Sequence, residues 1–324
     1  LRKEHGPETL GAAEDRFKAA LEFDADFARG WAGLCDTFLA RFIQSGNEQA
    51  YYRKGEEACQ RAIALEAGSA EVYIALGNLY RISGELDAAL SEFGNALSLA
   101  PDHYEAVYGI AQTLEAQGDL DGAELQYNSL IRIEPGYWHS YNALGHFYYG
   151  NDRYAEATFN FRRVTALDPD NALAQNNLGA AQYMQGDYAG AAASWAESVR
   201  IRPSNLVLSN VGLAAYYAGN FDEAAEMQKQ ALIEAPEDYR MWGRLGDAER
   251  QRGALDEAYK AYGQAIRFAS SAIELNPSNA EALRFLSLFY SHAGDNEAAI
   301  GTIEKVRELQ PESSSTYYYA SKIY

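Results

Sequence analysis

The chain has 324 residues, 48% of them apolar, with Lys+Arg 27 against Asp+Glu 46 and a net charge of −19. So acidic a surface repels phosphate backbones and anionic lipid, so nucleic acid is not an expected partner. No run approaches about 18 consecutive apolar residues, so no membrane insertion is expected, and two cysteines do not frame a disulfide-stapled secreted module.

Residues 1–27 open the chain with a lone helix that carries Ala13, Phe17 and Ala20 on one face. A long repeat, 28–69, follows. Its extra residues around Gln44–Gln49 predict two longer helices and a loose turn at Ser45-Gly46-Asn47. From residue 70 the punctuation becomes periodic. Gly84, Gly118, Asp152, Gly186, Gly219, Gly253 and Gly294 are spaced 34, 34, 34, 33, 34 and 41 apart. Pro101, Pro135, Pro169, Pro203, Pro236, Pro277 and Pro311 are spaced 34, 34, 34, 33, 41 and 34 apart. Two interleaved marks at one period mean a repeat array. The remaining repeats are 70–103, 104–137, 138–171, 172–204, 205–238, 239–279 and 280–313.

Each repeat is two helices. In 70–103, Tyr73, Leu76, Gly77 and Tyr80 mark one helical face, Gly84 breaks the helix, and Ala89, Phe93 and Ala96 mark the second. In 239–279 the pair Ala265-Ile266 recurs as Ala272-Ile273, which lengthens the second helix and keeps its apolar face. Residues 314–324 are a half-repeat or a capping helix, and both ends look cut from a longer array.

This pattern resembles the tetratricopeptide repeat, W-x2-L-G-x2-Y, then A-x3-F, then P. Tyr141, Leu144, Gly145, Tyr148, Ala157, Phe161 and Pro169 match it, as do Trp242, Leu245, Gly246, Ala258, Tyr262 and Pro277. The resemblance implies an all-α solenoid, a right-handed superhelix with eight repeats over 28–313 and half-repeats at 1–27 and 314–324. The long first and penultimate repeats also resemble, in architecture, arrays fused to bacterial kinases and regulators.

Nothing in the chain assembles catalytic chemistry. There is no Walker loop, no G-x-S-x-G, no H-E-x-x-H and no nucleophile–base–orienter set, so neither an enzyme nor a cofactor is expected. His139 and His146 stand seven apart, roughly 10 Å along one helix face, too far to share one metal ion. Cys35 takes the place Gly77 has in the next repeat and Cys59 that of Phe93, so both are expected to be packing residues.

The resemblance places the partner-binding groove on the first helices, at the second, fifth, ninth, twelfth and thirteenth places of each repeat. Those places hold Asn78 and Arg81, then Tyr108, Gln112 and Glu115, then His139, Asn142, His146 and Tyr149. Tyr149, Tyr183 and Tyr216 recur at one place in three successive repeats, with Tyr217 beside the last. Asn142, Asn176/Asn177 and Asn210 run parallel to them. Tyrosine offers rigid apolar area with a polar tip, and asparagine pairs with an extended backbone. The alternative is that these side chains bond to neighbouring helices. Arg240, Arg244, Arg250 and Arg284 form a basic island, in which Arg240 and Arg244 share a helix face and Arg284 is expected to reach the same volume. With Asn210 they suit a partner's carboxylate. Asp247 and Glu249, close in sequence, offer the competing reading that the island is already neutralised. Asn210, Arg240 and Arg244 also match the latter half of the carboxylate clamp in chaperone-binding repeats. Asn176 and Ala180 occupy the places where its Lys and Asn belong, so that clamp is incomplete.

The resulting expectation is a cytoplasmic protein–protein interaction scaffold that holds a peptide segment, with self-association through the terminal helices. The alternative is a ligand-sensing array within a larger signalling protein.

Overall fold

The computed structural model describes residues 7–66, 68–311 and 313–324; His5 lies outside them. The described residues form eighteen α-helices and no strand, in two compact units, one ending at Phe147 and the other running from Tyr148 to Tyr324. The N-terminal unit holds α1 (Pro7–Phe23), α2 (Ala28–Gln44), α3 (Gln49–Leu65), α4 (Ala70–Ser83), α5 (Leu86–Leu99), α6 (Tyr104–Gln117) and α7 (Leu120–Ile133). The boundary falls within α8 (Trp138–Gly150). The C-terminal unit holds α9 (Tyr154–Leu167), α10 (Ala172–Met184), α11 (Tyr188–Ile201), α12 (Asn205–Tyr217), α13 (Phe221–Glu234), α14 (Tyr239–Gln251), α15 (Leu255–Leu275), α16 (Ala280–Ala293), α17 (Asn296–Leu309) and α18 (Ser314–Ile323).

Local chemistry starts and stops these helices. Ser69, Asn171, Ser204, Asp238 and Asn279 each accept a hydrogen bond from a backbone N–H in the first turn of the helix they precede. Gly84 ends α4 at φ 86°, and the next N–H, of Glu85, reaches back to the Tyr80 carbonyl at 2.9 Å. Asp152 adopts φ 59° at the corresponding turn, where a short polar side chain tolerates the left-handed region. The loose turn of the first repeat also appears, with Gly46 at φ 72° and Asn47 at φ 74°. The helices on either side of it have 17 residues each, and α15 has 21.

Helices within a repeat meet through one recurring pair, the eighth place on the first helix against a large side chain on the second. A Cβ on Gly77 would stand 2.6 Å from the Phe93 ring; on Gly179, 2.7 Å from Trp195; on Gly246, 2.5 Å from Tyr262. The glycine admits the ring, and the ring fills the gap the glycine leaves. Gly212 admits Gln228 instead, whose amide is held by Ser209 at 2.7 Å on both its oxygen and its nitrogen.

The first repeat solves the same contact covalently. Cys35 and Cys59 occupy those two places, Cα–Cα 5.2 Å apart, and form a disulfide. The expectation of two independent packing thiols is therefore corrected. Both sulfurs are buried, but the contact between them is a bond.

At the C-terminal end, Tyr319, Ala320 and Ile323 of α18 pack against Ala280, Leu283, Ile303 and Val306. Tyr317, Tyr318 and Tyr324 remain exposed. Among the described residues no helix is long and apolar enough to cross a membrane.

Candidate functional site

In the C-terminal unit the first helices α10, α12 and α14 carry the anticipated asparagines, tyrosines and arginines. Arg244 is the residue to which the geometry gives weight. Its Nη1 donates to Ser209 Oγ at 2.8 Å and to Asn210 Oδ1 at 3.4 Å. No carboxylate lies within ion-pair distance of it among the described residues. Burial pulls its pKa below the ordinary arginine value, the mark of a desolvated guanidinium. The Tyr183 hydroxyl, the Asp238 carboxylate and the Tyr217 hydroxyl act on it electrostatically in the favourable sense and Arg240 in the opposite one, and the Tyr183 and Tyr217 rings meet edge to face at 5.7 Å.

The other arginines are spent elsewhere, which corrects the basic island. Arg240 pairs with Asp238 at 3.0 Å and Glu281 at 3.6 Å. Arg284 donates to Gln310 at 2.8 Å. Arg250 is exposed beside Tyr262. Nor do Asp247 and Glu249 neutralise the cluster as the competing reading had it. Asp247 accepts from the Tyr262 hydroxyl at 2.8 Å and faces His292 at 2.9 Å. Buried Glu249 lies between Lys229 at 2.7 Å and Arg252 at 2.8 Å.

The tyrosine ladder also has a structural share. Tyr149, Tyr183 and Tyr216 each pack on the aromatic residue five positions later, across the turn: Tyr154 at 5.5 Å, Tyr188 at 5.4 Å and Phe221 at 5.5 Å. They clasp the two helices of a repeat. Tyr217, 49% exposed and stacked on Tyr188 at 5.2 Å, presents the open ring. Asn176 and Asn177 are half-buried on α10, and the Trp195 indole donates to the Asn176 carbonyl at 3.0 Å. Asn142 is half-buried and His146 exposed on the part of α8 that belongs to the N-terminal unit. Among the described residues no three His, Cys, Asp or Glu side chains converge on a metal position.

The N-terminal unit has a polar face of its own. Asp36, Asn78 and Gln112 share the ninth place of three successive repeats. Asn78 donates to Asp36 Oδ1 at 2.9 Å, Gln112 to the Tyr108 hydroxyl at 3.1 Å, and the Tyr127 hydroxyl to Glu115 at 2.7 Å. Arg81 follows Asn78 by three residues and has a buried Nε without an acceptor. Sequence reasoning named most of these as lining but passed over Asp36, whose shared place with Asn78 and Gln112 was the available signal.

Burial pushes the Asp36 carboxyl up to about 6; the Asn78 bond pulls it back, and Glu105 adds to the rise. A carboxyl raised in the fold binds its proton more tightly there than in the unfolded chain. Stability therefore falls as pH rises from the unfolded value to about 6, and stays low above it. Asp36→Asn removes that loss. The stability advantage of the variant over wild type, from denaturant unfolding, should be about 1 kcal/mol larger at pH 7.5 than at pH 5. A difference independent of pH would show that Asp36 titrates normally.

Models of the tetratricopeptide repeat match residues 80–144 and 259–321 in one case and 142–205 and 212–273 in another. No curated protein matches the chain. Among solved structures, a chain of the APC/C Cut9–Hcn1 hetero-tetramer is similar over 100% of this chain and 60% of its own, at 16% identity and TM-score 0.56. PilW, a type IV pilus biogenesis factor, is similar over 67% of this chain and 98% of its own, at 17% identity and TM-score 0.50. MamA is similar over 51% of this chain and 97% of its own, at 22% identity and TM-score 0.48. At these identities the likeness to the first two is one of fold.

Proposed function

Since the chain belongs to the tetratricopeptide-repeat family, a family of protein-interaction scaffolds, we propose that it holds an extended partner segment on the first-helix face of α10, α12 and α14. The observation that carries this reading is Arg244, a desolvated cation whose partners are a hydroxyl and an amide oxygen rather than a carboxylate. Burying a guanidinium without an anion costs stability, and an incoming carboxylate recovers that cost. Asn210 engages Arg244 through its oxygen, which leaves its amide N–H groups to the ligand. Tyr217 adds an exposed aromatic wall beside them. The segment therefore carries an acidic side chain flanked by apolar or aromatic residues. Self-association through the exposed tyrosines of α18 is a further use of the same chain. The Cys35–Cys59 bond supports an oxidising compartment in place of the cytoplasm, because cytosolic thiol pools keep such pairs reduced.

The test is a pull-down to recover a partner, followed by titration of its bound segment against variants. Arg244→Gln should weaken binding about thirtyfold, the equivalent of about 2 kcal/mol for a central anchor. Arg240→Gln, whose charge is already paired, should change affinity by less than about threefold. Equal losses in both variants, or none in Arg244→Gln, would remove Arg244 from the site.

A further inference from the structure

The N-terminal unit offers a second arrangement that the peptide reading does not use. Arg81 and Asn78 lie three residues apart on α4 and so share a face. Asn78 donates to Asp36 of α2 at 2.9 Å, and the Asp36 carboxyl acts electrostatically on the guanidinium. Yet the two charges do not close on each other. Among the described residues the Arg81 side chain makes no hydrogen bond and no ion pair, and its Nε–H is enclosed without an acceptor. Burial lowers the Arg81 pKa, while Tyr108 and Tyr127 of the adjoining repeat and Asp36 pull it back. A surface salt bridge would have formed at little cost. Two desolvated opposite charges held side by side and unpaired instead define a positive wall and a negative wall.

We propose that this face of α2, α4 and α6 binds a small zwitterion of the amino-acid type, its carboxylate on Arg81 and its ammonium on Asp36. A bare anion fits poorly. The Asp36 carboxyl acts on the guanidinium, Glu105 acts on Asp36, and Glu115 accepts from the Tyr127 hydroxyl, in a chain of net charge −19. A bare cation would meet Arg81. A ligand that carries both charges a few ångströms apart satisfies both walls at once. Gln112 is fixed by its bond to the Tyr108 hydroxyl, and the Tyr108 ring meets Tyr127 edge to face at 6.2 Å. Paired polar groups of this kind, left unsatisfied by the protein itself, lower stability and are characteristic of binding sites. The site is independent of Arg244, which lies in the other unit.

The experiment follows the arginine Nε–Hε resonances of the full chain by NMR, with Arg81 assigned by its loss in Arg81→Lys. Three probes are titrated: L-alanine, N-acetyl-L-alanine and L-alaninamide. Alanine should shift the Arg81 resonance saturably and bind at least about tenfold more tightly than either blocked form, since each blocked form forfeits one charge-assisted contact. Asp36→Asn, which keeps the Arg81 resonance, should abolish the alanine response, and Arg244→Gln should leave it intact. Absence of any saturable Arg81 shift in wild type overturns the proposal without reference to a variant. So does N-acetylalanine binding as well as alanine, which would make the site a simple anion pocket. Failure of the partner titration with Arg244→Gln bears only on the peptide reading.

Discussion

Phe93→Ala should destabilise the N-terminal unit by about 4 kcal/mol, at the upper end for a core truncation. Phe93 is fully buried among Ile74, Ala89, Ala96 and Ala106. Its ring fills space left by two glycines from two different first helices: a Cβ on Gly77 would lie 2.6 Å from it and a Cβ on Gly109 2.3 Å. Truncation leaves a cavity faced by two glycines, which have no side chain to move into it, so relaxation recovers only part of the loss. The same geometry predicts a reversal of sign. Gly109→Ala should be destabilising in wild type, where the new methyl meets the ring. In the Phe93→Ala background it should be stabilising, where it occupies the void and removes a helical glycine. Repeat arrays are sums of nearest-neighbour interfaces, so the loss should appear in hydrogen exchange of α4 to α6 and leave α12 to α14 protected. A double mutant no more stable than Phe93→Ala would show that the backbones close in when the ring is removed.

The repeat period, the turn residues and both enlarged repeats were legible in the sequence because each rests on local chemistry. A left-handed turn needs Gly84 or tolerates Asp152, and a longer helix must repeat its apolar pair, as Ala265-Ile266 and Ala272-Ile273 do. What stayed hidden depends on which side chain meets which. Sequence register put Cys35 and Cys59 at the places of Gly77 and Phe93, but only the packing shows that these places touch, here as in the repeats of Gly77, Gly179, Gly212 and Gly246. The tyrosine ladder was visible as a repeat position. Its clasp on Tyr154, Tyr188 and Phe221 required the geometry of the turn. The four arginines looked equivalent because charge is a property of sequence, whereas pairing and desolvation are properties of the fold. Asp238, Glu281 and Gln310 claim Arg240 and Arg284, and Arg244 keeps its charge unspent.

Replacing Cys35 and Cys59 together by alanine, or reducing the bond, should lower stability by about 3 kcal/mol, the entropy of a loop closed across a sequence separation of 24. The first repeat has particular need of the link. Where later repeats seat Phe93, Trp195 or Tyr262 against a glycine, it has two small sulfurs, so without the bond the contact between α2 and α3 has no large ring to take its place. Its longer turn at Gly46-Asn47 also leaves the unfolded hairpin more freedom to lose. The effect should be confined to the N-terminal unit. A reductant should lower the denaturant midpoint of that unit, leave the C-terminal unit unchanged, and have no effect on the double alanine variant. Thiol titration in denaturant should find no free thiol before reduction and two after. Two thiols in protein purified from an oxidising compartment would mean the pair stays reduced, and with it would go the argument for that compartment. If the bond is present but its loss costs nothing, the packing of Leu39, Ala58 and Ala62 between α2 and α3 suffices on its own.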